Sequence, residues 1–120
     1  MDLKRRTKIF AVEIIKLVES LPKTRISNVI TNQILRSGTS VGANYRAVVR
    51  AKPDKDFIHK LKICEKESNE TIYWLELIEE SGLLKNEVTR RFIKETDELT
   101  AIFVACINTK RTNINRNSNL

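Results

Sequence analysis

Helix-stopping residues are scarce and widely spaced in this chain. Its 120 residues hold only 3 Gly and 2 Pro. Pro22, Pro53 and Gly82 fall between long stretches of helical periodicity. A sandwich or barrel of short strands needs turn residues at roughly 8–12-residue intervals, so that class is excluded. Four helical segments remain.

The first spans residues 3–20 and stops at Leu21-Pro22, because proline breaks the ladder and restricts the residue before it. Thr24 is suited to N-cap a second helix over residues 25–51. Pro53 suits the first turn of a third helix over 54–81, with Asp54 and Asp56 favouring its positive end and Gly82 closing it. Asn86-Glu87 opens a fourth helix, over 86–110. The polar, Asn-rich stretch 111–120 is expected to be a mobile tail. A chain of this length builds one core. The second and third helices are each roughly 27 residues, about 40 Å long, and short connections make neighbours antiparallel. The expected fold is all-α: an antiparallel up-down-up-down four-helix bundle.

Helical-wheel positions, at about 100° per residue, assign the faces. On the third helix Phe57, Leu61, Cys64, Ser68, Thr71, Ile72, Leu75 and Ile78 form one core stripe. A second stripe carries Ile63, Trp74 and Leu77, with Glu67 and Glu70 beside them. Trp74 there either wraps the core edge or anchors a subunit interface, where Trp is favoured. On the second helix Ile26, Ile30, Gln33, Ile34, Ser37, Val41, Asn44, Tyr45 and Val48 share the core side. Gln33 and Asn44 are expected in a buried hydrogen-bond cluster with Ser68, Thr71 and Thr96. Opposite the core, Arg25, Arg36, Arg46 and Arg50 fall within an arc of roughly 80°, with Thr39, Ser40 and Ala43 as a small-residue floor. The arginines are either an ordinary solvated face or a polyanion site. No acidic residue occurs between Val29 and Pro53 to neutralise them, so Glu67 and Glu70 of a neighbouring subunit are the expected partners.

Charge is polarised along the chain. Residues 1–53 carry 11 Lys and Arg against 3 Asp and Glu, residues 54–109 carry 8 against 12, and the tail adds three cations, for a net of +7. That asymmetry suits head-to-tail association or a polyanion partner. The longest apolar run, residues 101–107, is too short to cross a bilayer. The basic start Lys4-Arg5-Arg6 meets Glu13, Lys16 and Glu19 instead of an apolar stretch, so no signal peptide is read and a cytoplasmic location without membrane contact is expected.

Catalytic chemistry finds no foothold. His59 is the only histidine and lies away from the core stripe. Cys64 and Cys106 project onto core stripes as small hydrophobes. Gly38-Thr39-Ser40-Val41-Gly42 lacks the lysine of a phosphate-binding loop, and a di-iron bundle needs Glu-x-x-His pairs that one histidine does not supply. No enzyme activity, metal or cofactor is expected.

The segment Gln33-Ile34-Leu35-Arg36-Ser37-Gly38-Thr39-Ser40-Val41-Gly42-Ala43-Asn44 continues into Tyr45-Arg46-Ala47 and Arg50-Ala51-Lys52. Then come Asp56-Phe57-Ile58-His59-Lys60-Leu61, Glu65-Lys66-Glu67-Ser68-Asn69-Glu70 and Trp74-Leu75-Glu76-Leu77. Together these resemble the four-helix bundle family named after proteins encoded in intervening sequences of bacterial 23S rRNA genes. The accessory variability determinant of diversity-generating retroelements belongs to the same family. The resemblance spans residues 7–108, and its motif positions are Gln33, Arg36, Ser37, Ser40, Asn44, Arg46, Asp56, Phe57, Glu67, Glu70, Trp74 and Leu77. Where the family pattern often has a large aliphatic and an acidic residue, Val48-Val49-Arg50 stand here.

The resemblance implies a homopentameric barrel of closed bundles. For the retroelement branch it also implies nucleic-acid binding and a reverse transcriptase partner; most other members have no established role. The resulting expectation is a non-enzymatic oligomer that binds RNA or DNA through Arg25, Arg36, Arg46 and Arg50, largely without sequence specificity. Lys4, Arg5, Arg6 and the tail cations would assist, and Ile63, Glu67, Glu70, Trp74 and Leu77 would form the subunit interface. The alternative is a protein-interaction scaffold or accessory subunit whose arginines serve subunit contacts.

Overall fold

A computed structural model describes residues 2–52 and 54–118. Four helices follow in order: α1 (Leu3–Glu19), α2 (Arg25–Val49), α3 (Lys55–Glu80) and α4 (Asn86–Ser118). Each packs antiparallel on the next, as the short connections require, in a body measuring 58 × 25 × 22 Å. The helix starts are built as the sequence indicates. Asp2 accepts from the Arg5 amide at 2.9 Å and Thr24 from the Ser27 amide at 3.2 Å. At the end of α3, Gly82 takes φ +73°, which lets the Leu83 amide reach the Ile78 carbonyl and the Gly82 amide that of Glu79, both at 3.1 Å. Pro53, expected in the first turn of α3, lies outside the described residues. Its neighbour Asp54 takes φ 72°, a left-handed conformation that costs a non-glycine residue energy. Its carboxylate is held by Lys110 Nζ at 3.3 Å.

The core is a single column of Phe10, Ile14 and Leu17 from α1, Ile30, Ile34 and Val41 from α2, Leu61, Cys64, Leu75 and Ile78 from α3, and Leu99, Phe103 and Ile107 from α4. Two glycines set the α1–α2 spacing. A Cβ on Gly38 would stand 3.0 Å from Ile14, and one on Gly42 would stand 3.2 Å from the Thr7 carbonyl oxygen. Gly38 and Gly42 therefore exist for close helix packing. On its other side α1 meets α4 through side chains. Arg6 spans the seam to Glu95, at 2.6 and 3.0 Å, and to Glu98 at 2.8 Å.

Four expectations are corrected here. The fourth helix does not fade near Lys110: residues 111–118 continue α4. No Gly or Pro interrupts that stretch, and Arg116 in the last turn opposes the negative helix end. Ile26, placed on the core side, is 69% exposed, because it sits at the edge of the core arc and its neighbour Ser27 is the residue of that turn that is buried. Cys106 is half-buried, whereas Cys64 is fully enclosed. Finally, the buried polar cluster is made by hydroxyls. Ser37 and Thr71 lie 2.9 Å apart, Ser68 and Thr100 2.8 Å apart, and Thr96 donates to the Phe92 carbonyl. Gln33 and Asn44 are only half-buried, and Asn44 Nδ2 donates to the Ser40 carbonyl of its own helix at 2.8 Å.

Candidate nucleic-acid interface

The arginine stripe of α2 divides into three environments. Arg25 sits exposed in the first turn, about 32 Å along the axis from Arg46 at 1.5 Å per residue. Arg36 is taken by its own chain. Nη1 donates to Glu67 Oε2 at 3.1 Å and Nη2 to Glu70. These are the carboxylates expected to come from a neighbouring subunit, and the antiparallel α2–α3 packing supplies them internally. Glu67 is nearly enclosed, its side chain 12% exposed, while Arg36 remains half open to solvent. The Glu70 hydrogen bond, reinforced by both carboxylate charges, raises the affinity of Arg36 for its proton.

Arg46 and Arg50 differ. Both are exposed, and neither has an ion-pair partner among the described residues. They stand on α2, which packs against α1 on one side and α3 on the other. A groove of about 790 Å³ between α2 and α3 has Ala43, Ala47 and Ala51 on its floor and Arg46, Arg50, Lys52 and Lys60 at its rim. A second groove, about 240 Å³, lies between α1 and α2, where Ala11, Thr39 and Gly42 leave room beneath Lys4, Lys8 and Arg46. Among the described residues Asp56 is the only carboxylate lining either groove. It is already engaged by the Lys52 amide at 3.2 Å and Lys60 Nζ at 3.7 Å.

Sequence reasoning missed Lys8, Lys52 and Lys60, which belong to three different segments and converge only through the antiparallel packing. The convergence of α1's first turns with α2's last turns was implicit in the short α1–α2 connection. Arg6, expected among the helpers, is instead spent on Glu95 and Glu98, and the tail cation Lys110 on Asp54. The small floor was placed correctly at Thr39 and Ala43. Ser40 is half-buried and bonds back to the Arg36 carbonyl at 2.6 Å.

The residues expected at a subunit interface lie along α3 on the side that carries Glu67 and Glu70 to Arg36 of α2. Ile63, Trp74 and Leu77 are half-buried, and Trp74 packs on the core. Tyr73, 54% exposed, meets Trp74 edge to face with ring centroids 5.0 Å apart. These two aromatics and Glu70 line an open groove of about 650 Å³ with Lys62, Lys66 and Asn69. Burial pushes the Cys64 thiol up to about 12, so it stays protonated and inert. His59 is exposed. Among the described residues no three His, Cys, Asp or Glu side chains are grouped to hold a metal ion, and no helix is long and apolar enough to cross a membrane.

A single antiparallel four-helix bundle with a basic corner is thus the class of protein that the fold and the site define. The family model described as 23S rRNA-intervening sequence protein matches residues 1–105, and the chain belongs to that family. A similar solved structure is that of a protein of unknown function from the S23 ribosomal protein family of Bacteroides thetaiotaomicron. It is 38% identical, with a TM-score of 0.83 over 88% of this chain and 98% of that one. None of the curated proteins matches this chain.

Proposed function

We propose that this protein is a non-enzymatic, oligomeric four-helix bundle that binds RNA or DNA through phosphate contacts, largely without sequence specificity. The observation that carries the reading is the concentration of unpaired cations around Arg46 and Arg50 above a floor of small residues. By contrast, four other cations, Arg6, Arg36, Arg90 and Lys110, are paired with carboxylates. Repeating a +7 subunit in a ring, a pentamer by family resemblance, multiplies the field and favours polyanions. The surface at Trp74 and Tyr73 is the proposed contact between copies, with Ile63 and Leu77 on the same helix. Arg25 adds charge at the far end, while Arg36 serves the α2–α3 contact.

The test is the double substitution Arg46→Glu with Arg50→Glu. Light scattering gives the mass against the 13.9 kDa subunit, and fluorescence anisotropy follows a labelled RNA at low and high salt. The reading expects an intact oligomer that has lost RNA. Unchanged RNA binding would overturn it.

A second reading, a protein-interaction scaffold or accessory subunit, draws on a different observation. Ile9, Val12 and Ile15 on α1 are 39–45% exposed, and Ile26 and Val29 on α2 are 69% and 57% exposed. Aliphatic surface of that kind suits a protein partner. Dissociation of the oligomer on the same double substitution would favour it.

A further inference from the structure

The basic corner is two grooves and not one. The first runs between α1 and α2, the second between α2 and α3, and Ala43 and Arg46 line both. Arg46 therefore stands on a ridge, with Lys4 and Lys8 across one groove and Lys52 and Lys60 across the other. Packed helices lie about 8–10 Å apart, so the two grooves run on either side of α2 at a separation of that order. The grooves of a B-form duplex are roughly 6 and 12 Å wide. Two phosphate strands of a duplex are spaced on the same scale as these two tracks of positive charge.

The chemistry of the lining also favours a duplex over a single strand. Proteins that grip single strands supply aromatic faces for unpaired bases, and among the described residues no aromatic lines either groove. The neighbouring rings are occupied. Tyr45 is half-buried against Phe103, with ring centroids 6.2 Å apart, and Phe57 lies under Lys110. What the corner offers is charge and close approach to main chain, which engages backbone phosphate and leaves bases unread.

Resting on the nucleic-acid reading above, we propose that this corner takes a double-stranded nucleic acid, one phosphate strand in each groove, with Arg46 between them. Lys4, Lys8, Arg50 and Lys52 complete the contacts. Lys60, paired with Asp56, contributes less.

The experiment measures anisotropy with labelled duplex RNA, duplex DNA and single strands of the same sequence, about 20 nucleotides or roughly two helical turns long. Binding is followed over a range of salt. Either duplex is expected to bind at least about tenfold tighter than the single strands, with log affinity falling against log salt at a slope of about −4 to −5 for five phosphate contacts. Two paired variants, Lys4→Glu with Lys8→Glu and Lys52→Glu with Lys60→Glu, test the two tracks separately. Each alone should bring duplex affinity down toward that of the single strand, with helicity by circular dichroism unchanged. Equal or tighter single-strand binding would overturn the two-strand site while leaving the broader reading intact. So would a duplex affinity indifferent to one of the paired variants. Failure of every probe to bind would overturn both.

Discussion

Replacing Arg36 by methionine should destabilise the bundle without weakening nucleic-acid binding. The substitution keeps the aliphatic stem that covers α2 and removes only the guanidinium. Two carboxylates then lose their partner. Glu67 matters more, because its side chain is 12% exposed and its oxygen sits 3.1 Å from Arg36 Nη1. A half-solvated cation facing a nearly enclosed anion lies between two limits: roughly 0.2–1 kcal/mol for surface pairs and 3–5 kcal/mol for broken buried pairs. The Glu70 side, 35% exposed, belongs near the lower limit. A loss of about 1.5–3 kcal/mol follows, most of it from the Glu67 charge left uncompensated. Urea unfolding followed by circular dichroism measures it, and a cycle adding Glu67→Gln isolates the pair. In the Glu67→Gln background the Arg36→Met cost should fall to below about 1 kcal/mol, because no enclosed charge remains to be stranded. RNA affinity should stay within about twofold, less than one phosphate contact is worth across an ordinary salt range. Wild-type stability combined with a tenfold weaker affinity would refute the reasoning and return Arg36 to the binding surface.

Two further outcomes test the packing and the thiols. Gly38→Ala adds a methyl 3.0 Å from two carbons of the fully buried Ile14. Overpacking of about 1–3 kcal/mol should outweigh the roughly 1 kcal/mol gain in helix propensity, and in an Ile14→Ala background the same change should turn stabilising; additive costs would mean the helices simply move apart. A thiol-labelling reagent at pH 8 should modify Cys106 and spare Cys64, whose burial pushes its thiol up to about 12. Equal labelling rates in the folded protein would contradict the enclosed core.

The four helices were legible because their signals are local. Thr24, Pro22 and Gly82 act within one turn of themselves, and the core stripes follow from periodicity alone. Their caps appear in the structure at the expected residues. What escaped the sequence depends on which helices stand side by side. Arg36 is read with the right carboxylates but in a neighbouring subunit, because those carboxylates lie 31 and 34 residues away along the chain. Ile26 looked buried because it lies at the edge of the apolar arc, where Ser27 faces the core instead. Lys8, Lys52 and Lys60 carry no signal singly, since an exposed lysine on a helix is unremarkable until two neighbouring helices present others at the same height. The reach of α4 to Ser118 was obscured by Asn-rich composition, although nothing in those residues forbids a helix that grows from one already docked.

The single arginine across the α1–α4 seam has a consequence for the order in which the bundle assembles. Close backbone approaches run from α1 to α2, from α2 to α3 and from α3 to α4, so the chain can stack each helix as it emerges from the ribosome. Arg6, however, must wait for Glu95, 89 residues later. Until then α1 is held on one side only, as the lid of an unfinished box. In the finished protein each terminal helix makes its close backbone approaches mainly to one neighbour, so α1 is expected to exchange its amides through a sub-global swing, which native-state hydrogen exchange would show. The basic corner, which borrows Lys4 and Lys8 from α1, is complete only while that swing is shut.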